Sequence, residues 1–321
     1  MSLNHYKDMF LEHLSQNVKE RQPNNLYDPI NYILNLGGKR LRPILVLMSC
    51  DLFNGKNEEA LDAALAIEMF HNFSLVHDDI MDKAPLRRGQ STVHKKWDSN
   101  TGILSGDAML ILAYQYFESY KPEIFIKLAK LFSETALEVC EGQQYDMDFE
   151  TQTDVSLETY LKMITFKTAV LIAAALKMGA IIANVNETDT QNIYDFGLNL
   201  GIAFQLQDDY LDVFADVDFG KQKAGDIIEN KKTFLYLKTL ELASVKDKNE
   251  LLKLYASTQN TSVKVEKATA LFNKYKIPQI LQNEIEVFTQ KAFKNIETIS
   301  INDSNKEAFI DFAKSLMHRK I

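Results

Sequence analysis

Apolar residues recur at three- and four-residue spacing through long stretches of this chain, and little interrupts them. Ile44–Phe53, Glu59–Met81, Ser105–Phe117, Pro122–Glu141, Leu157–Asn184 and Thr190–Phe214 carry the pattern, as do Ile280–Ile299 and Lys306–Met317 nearer the C-terminus. That period gathers apolar side chains on one face of an α-helix. Turn-formers are scarce, with 12 Gly and 6 Pro in 321 residues, against about 7% and about 5% in an average protein. All-β and doubly wound α/β chains need more turns than this supplies, and alternating strand-like stretches are absent from the sequence. The expectation is an all-α fold of long helices, broken at Arg21–Tyr27, Gly37–Pro43, Lys83–Gln90, Thr151–Val155 and Phe214–Asn230. No Ser/Gly/Pro-rich linker or shift in composition divides the chain, so residues 1–321 read as one large helical domain.

Bulk properties exclude several partners. The net charge is −8, which argues against nucleic acid, since binding a phosphate backbone needs a basic face. The two cysteines, Cys50 and Cys140, form no disulfide framework and sit in apolar stretches. The expectation is a pair of buried, inert thiols in a reducing, cytoplasmic compartment. Met1–Gln16 lacks the apolar core of a signal peptide. The longest apolar run, Ala169–Ala183, is interrupted by Lys177 and falls short of the roughly 20 residues that cross a bilayer. No membrane span is expected.

One acidic motif occurs twice. Asp78-Asp79-Ile80-Met81-Asp82 returns 130 positions later as Asp208-Asp209-Tyr210-Leu211-Asp212, each copy ending a long apolar helical run. On a helix, residues four apart share a face, so Asp78 and Asp82 project together, as do Asp208 and Asp212. Two carboxylates one turn apart repel each other. A hard divalent cation relieves that, and Mg²⁺ commonly takes one or two carboxylates together with substrate phosphates and water. A single such motif reads equally as a solvated acidic patch; two copies at matching places do not.

Cationic turns accompany the aspartates. Gly37-Gly38-Lys39-Arg40-Leu41-Arg42-Pro43 places three cations behind a flexible turn, and Pro85-Leu86-Arg87-Arg88-Gly89 follows the first acidic motif. After the second come Phe219-Gly220-Lys221-Gln222-Lys223-Ala224-Gly225-Asp226 and Lys231-Lys232-Thr233. Arginine offers a planar fork to phosphate oxygens, and glycine lets backbone approach an anion. His71 lies seven residues before Asp78 on the same face, whereas His77 points elsewhere and reads as structural.

The ordered set GGKRLRP, HNFSLVHDDIMD, PLRRG, Gly142-Gln143, Lys167-Thr168, FQLQDDYLD and GK…GD…NKKT, from Gly37 to Thr233, resembles the trans-isoprenyl diphosphate synthases, or polyprenyl synthetases. The resemblance implies an all-α isoprenoid synthase fold, antiparallel helices around a large central cavity, usually in a homodimer. It implies head-to-tail condensation of isopentenyl diphosphate with an allylic diphosphate, using Mg²⁺, three ions per site. Matched residue by residue, Asp78, Asp82 and Asp208 are the implied direct metal ligands. Asp79, Asp209 and Asp212 stand behind them or act through water, Asp212 on the substrate side. Lys39, Arg42, His71 and Arg88 match the isopentenyl diphosphate site. Arg87, Lys167, Thr168, Gln205, Lys221 and Lys231 match the allylic site, with Lys221 preferred to Lys223. The implied lid is Phe219–Asn230. No protein base is placed for the final proton, which by family analogy goes to the departing pyrophosphate.

Within such a family the residues just before the first acidic motif set the floor of the chain pocket. Phe73 stands five before Asp78 and the small Ser74 four before, with no two-residue insertion in the motif. That pattern resembles a producer of the C20 geranylgeranyl chain more than of the C15 farnesyl chain, with a longer polyprenyl product as the alternative. Two rivals remain: a class I terpene cyclase, against which both the second DDxxD and GGKRLRP argue, and a non-catalytic partner subunit, in which the aspartates would be eroded.

Overall fold

The computed structural model describes residues 3–215, 224–256 and 262–317. Its helices are α1 (Leu3–Asn17), α2 (Asn24–Asn35), α3 (Leu41–Leu52), α4 (Asn57–Met81), α5 (Val93–Lys96), α6 (Ser99–Phe117), α7 (Pro122–Thr151), α8 (Leu157–Ile164), α9 (Val170–Ile182), α10 (Glu187–Phe214), α11 (Gly225–Ile228), α12 (Phe234–Leu242), α13 (Val245–Tyr255), α14 (Ser262–Lys274), α15 (Ile277–Thr298) and α16 (Asp303–Met317). The only strands among the described residues are β1 (Leu86–Arg87) and β2 (Gln90–Ser91), an antiparallel hairpin. The all-α expectation holds.

Several boundaries differ from the sequence reading. Helix α1 covers most of the polar N-terminal segment to which the sequence reading gives no element, and its buried face is Tyr6, Phe10 and Leu14. The break expected over Arg21–Tyr27 is shorter, because α2 starts at Asn24. Helix α7 runs to Thr151 rather than ending near Glu141. The helix expected over Leu157–Asn184 does form: α8, a π-turn at Thr165–Ala169 and α9 make one continuous helix, Leu157–Ile182, whose apolar stretch exceeds the Ala169–Ala183 run. It is long and apolar enough to cross a membrane, yet 72% of its apolar window is buried inside the protein, as befits a core helix. Cys50 is buried as expected, but Cys140 is exposed, because it lies on the outward face of α7.

The chain divides into two compact units, Met1–Ser133 with Ala174–Gln191 and Glu134–Ala173 with Asn192–Ile321. In the first, α4 is buried on nearly every side, with Ala60, Ala63, Ala64, Leu65, Ala66 and Ile67 fully enclosed. Small residues of α6 admit it closely: a Cβ on Gly106 would lie 2.3 Å from His77 Nε2. His77 thus packs into α6, its Nε2 3.2 Å from the Ile103 carbonyl oxygen. Phe132 is the hub of an aromatic cluster, edge-on to Phe70, Tyr114 and Phe117. In the second unit, Tyr160, Leu206, Phe234, Leu251, Phe272, Ile277 and Leu281 form the centre of one core.

Candidate active site

The first acidic motif closes α4. Asp78 and Asp82 lie one turn apart, Asp82 at the C-cap, and Asp79 is buried. The chain then turns into the β1–β2 hairpin through Arg88 (φ 53°) and Gly89 (φ 76°). Positive φ at both central residues is what a two-residue type I′ turn requires. The hairpin, which the sequence reading took for irregular loop, sends its two arginines to different partners. Arg87 returns to α4 and grips Asp79 with Nε 2.8 Å from Oδ2 and Nη2 2.7 Å from Oδ1, and Nη2 is 3.5 Å from Asp78 Oδ2. Burial pushes the Asp79 carboxyl up and Arg87 pulls it back.

Arg88 crosses to the GGKRLRP turn, donating to the Gly37 carbonyl. Its guanidinium lies against Gly38, where a Cβ would come within 2.9 Å of Arg88 Cζ and where φ is +119°, so only glycine fits. From the next helix Arg42 Nη1 reaches 3.1 Å from His71 Nε2. Burial, then Arg42, Arg88, Arg87 and Arg40, hold the His71 imidazole well below its ordinary value. His71 is therefore neutral and its Nε2 accepts from Arg42. Burial lowers the Arg42 guanidinium to about 10, still a cation at neutral pH. Lys39 is exposed at the same turn. The structure thus brings Arg42, His71 and Arg88 together as a cationic cluster suited to a polyanion. Arg40, which the sequence grouped with the other cations, is turned inward instead onto Glu68.

The second acidic motif sits on α10. Asp209 is buried and accepts from the Tyr160 hydroxyl and, at 3.3 Å, from the Phe234 backbone N–H. Burial, then the charge of Asp226, pushes its carboxyl well above the usual carboxylate range. Asp212 takes the Gly225 and Asp226 amides on its two oxygens, both at 3.1 Å, and so fastens the start of α11. Asp208 is half-buried on the same helix.

Lys167 and Thr168 lie within the π-turn at Thr165–Ala169; such single-turn widenings recur at functional sites. Gly142 of α7 packs tightly against it, since a Cβ there would be 2.2 Å from Lys167 N. Lys167 Nζ pairs with Asp146 Oδ2 at 2.5 Å, and Thr168 Oγ1 donates to Gln205 Oε1 at 3.3 Å. Lys231 Nζ lies 3.2 Å from Glu229; against the penalty of burial, Asp226, Glu229 and Asp146 keep it firmly charged. Lys232 instead caps the end of α7 through the Phe149 and Gln152 carbonyls. Lys221 and the first part of the expected lid lie outside the described residues; Gly225–Ile228 within it is helical.

Sequence reasoning missed Asp146, Tyr160 and Glu68. Asp146 follows Gly142 by one helical turn, which was the available signal; nothing local marked Tyr160. Among the described residues no three His, Cys, Asp or Glu side chains converge to hold a metal by themselves. Pairs of carboxylates one turn apart do fit Mg²⁺, whose remaining positions go to substrate phosphates and water.

Comparison with known proteins places this arrangement. The polyprenyl synthetase family model matches residues 23–272. A crystal structure of a geranylgeranyl pyrophosphate synthase is 52% identical with a TM-score of 0.96, each chain covered over 100% of its length. The geranylgeranyl diphosphate synthase of Sulfolobus acidocaldarius is 37% identical over 93% of this chain and 90% of its own. The geranylfarnesyl diphosphate synthase of Natronomonas pharaonis is 38% identical over 72% of this chain and 73% of its own. Similarity of that extent, running through both acidic motifs and the cationic turns, makes this chain a member of the polyprenyl synthetase family.

Proposed function

We propose that the chain is a Mg²⁺-dependent trans-prenyltransferase. It joins isopentenyl diphosphate head-to-tail to an allylic diphosphate and releases pyrophosphate and a proton. The observation that carries this reading is the cluster of Arg42, His71 and Arg88 beside the GGKRLRP turn. An enzyme that cyclises one diphosphate has no use for a second anion site, and two intact acidic motifs do not suit a non-catalytic subunit.

In this reading Lys39, Arg42, His71 and Arg88 bind the diphosphate of the isopentenyl substrate. Arg87, Lys167 and Lys231 face the allylic diphosphate, with Lys221 in the same role. Asp78, Asp82 and Asp208 hold Mg²⁺, three ions per site, and Asp79, Asp209 and Asp212 fix the surrounding frame. When bound, Mg²⁺ neutralises charge on the leaving pyrophosphate. The chain's cations add preorganised charge at the same group. Thr168 and Gln205, already hydrogen-bonded, offer oxygens to the developing allylic cation. The departing pyrophosphate takes the proton lost from the isopentenyl unit.

In this reading residues 1–321 act as one functional domain, since a single family model spans both acidic motifs. Phe73, nine-tenths buried and edge-on to His77 at 4.7 Å, is the candidate floor of the chain pocket, with Ser74 beside it. A C20 product fits that pair and the names of the similar synthases; C25 is the second reading, favoured by the geranylfarnesyl enzyme. Exposed Leu104 (60%) and Ile111 (58%) form an apolar stripe along α6, which suits a homodimer contact. Two free thiols suit a cytoplasmic setting. Incubating the protein with labelled isopentenyl diphosphate, Mg²⁺ and dimethylallyl, geranyl or farnesyl diphosphate tests the activity and measures chain length. Release of hydrocarbon from farnesyl diphosphate alone would favour the cyclase.

A further inference from the structure

The GGKRLRP turn carries three cations, and the proposed isopentenyl site uses Lys39 and Arg42. Arg40 faces the other way. It is 5% exposed, its partner Glu68 is 2% exposed, and Arg40 Nη1 lies 2.5 Å from Glu68 Oε1. The other prong of Arg40 donates to the Leu34 carbonyl in the last turn of α2. Asn72 Nδ2, one turn along α4, donates to Glu68 Oε1 at 3.1 Å and to the Glu68 carbonyl at 2.8 Å. Arg40 is also the N-cap of α3, in the left-handed region at φ 52°. One buried ion pair thus ties the end of α2, the start of α3 and the middle of α4.

A buried ion pair seldom stabilises a fold more than apolar side chains of the same volume would. Its position here suggests another use. Arg42 follows Arg40 by two residues and His71 follows Glu68 by three, and these followers meet at 3.1 Å. Glu68 also sits among cations: its negative charge offsets part of the effect of burial on both Arg42 and Arg88. We propose that the Arg40–Glu68 pair is a positioning device for the isopentenyl diphosphate site, docking the start of α3 onto α4 so that Arg42 is held against His71. The proposal rests on the reading of Arg42, His71 and Arg88 as that site.

Its test turns on a sign. Glu68 is a negative charge near an anion site, so if it acted by charge alone, Glu68→Gln would tighten isopentenyl diphosphate binding. A positioning role demands the opposite. Glu68→Gln and Arg40→Lys should each raise KM for isopentenyl diphosphate by about tenfold, leaving KM for the allylic substrate within twofold. A merely structural role would lower the melting temperature without separating the two KM values. A fall or no change in KM for isopentenyl diphosphate, or an equal rise in both, overturns the proposal. Asn72→Leu strands no charge and loosens the same clamp. If the charge variants do not fold, a threefold or greater selective rise in that variant supports the proposal and an unchanged KM overturns it. Arg42→Ala is the control: if it too leaves KM for isopentenyl diphosphate unchanged, the site reading itself has failed.

Discussion

Arg87 and Asp79 meet fork to fork, with two hydrogen bonds of 2.8 and 2.7 Å that occupy both carboxylate oxygens of the buried aspartate. Asp79 therefore holds the hairpin, and in the proposed reading the ligand role within its motif belongs to Asp78 and Asp82. Arg87→Ala leaves a buried carboxylate without its cation and should destabilise the apo protein by about 3 kcal/mol. Arg87→Lys keeps the charge but loses the fork and should cost less. Urea unfolding in the absence of Mg²⁺ measures both.

The metal assignment predicts that Asp78→Ala and Asp208→Ala each lower turnover by about 100-fold or more, the loss expected when several kcal/mol of charge stabilisation disappear. Steady-state incorporation of labelled isopentenyl diphosphate at saturating Mg²⁺ checks this. Either variant working within a few-fold of wild type would remove its residue from the ligand set.

Phe73 packs between Phe70 and His77, at 5.5 and 4.7 Å between ring centroids. Ser74→Phe adds bulk beside it and should shorten the product, whereas Phe73→Ala should lengthen it at a stability cost of about 3–5 kcal/mol. Mass spectrometry of the dephosphorylated alcohols reads the chain length. Unchanged products in both variants would return Phe73 to simple core packing.

His71 predicts a pH dependence. Burial, followed by its arginine neighbours, keeps its folded-state pKa well below the unfolded value, which is about 6.5. The unfolded chain then takes up a proton that the folded one refuses. The neutral imidazole's contribution is intact above about pH 6.5 and erodes below it, by up to about 1.4 kcal/mol per pH unit. Between pH 7.5 and 5.5 the wild type should lose about 1 kcal/mol more than His71→Gln. Paired urea titrations at the two pH values give the difference, and equal losses would contradict the buried neutral histidine.

Gly142 predicts a coupling of packing to catalysis. A methyl group there would stand 2.2 Å from the Lys167 backbone nitrogen, so Gly142→Ala must push α7 off the π-turn. The expected cost is about 1–3 kcal/mol, with a fall in kcat because Lys167 and Thr168 ride on that turn. Melting temperature and turnover should drop together; a variant with unchanged kcat would show that the turn's position is not critical.

By itself the sequence determined most of the long helices and the motifs that carry the family. Periodicity is local, so α3, α4, α6, α10, α15 and α16 could be read to within a few residues, apart from the longer starts of α6 and α10. The four-residue spacing of the aspartates needed no tertiary information, and the ordered motifs carried the family. Tertiary structure alone decided which partner each charge takes. Arg40 and Arg42 are two residues apart in one basic turn, yet one is buried on Glu68, 28 residues away, and the other meets His71. Asp208 and Asp209 are neighbours, yet only Asp209 accepts from Tyr160, 49 positions earlier. Lys231 is held charged by Asp226, Glu229 and Asp146, while adjacent Lys232 caps α7. Local spacing sets the direction in which a side chain leaves its helix, but what it meets depends on contacts distant in sequence. For a charged group, burial and the partner together decide whether it binds substrate or holds the fold.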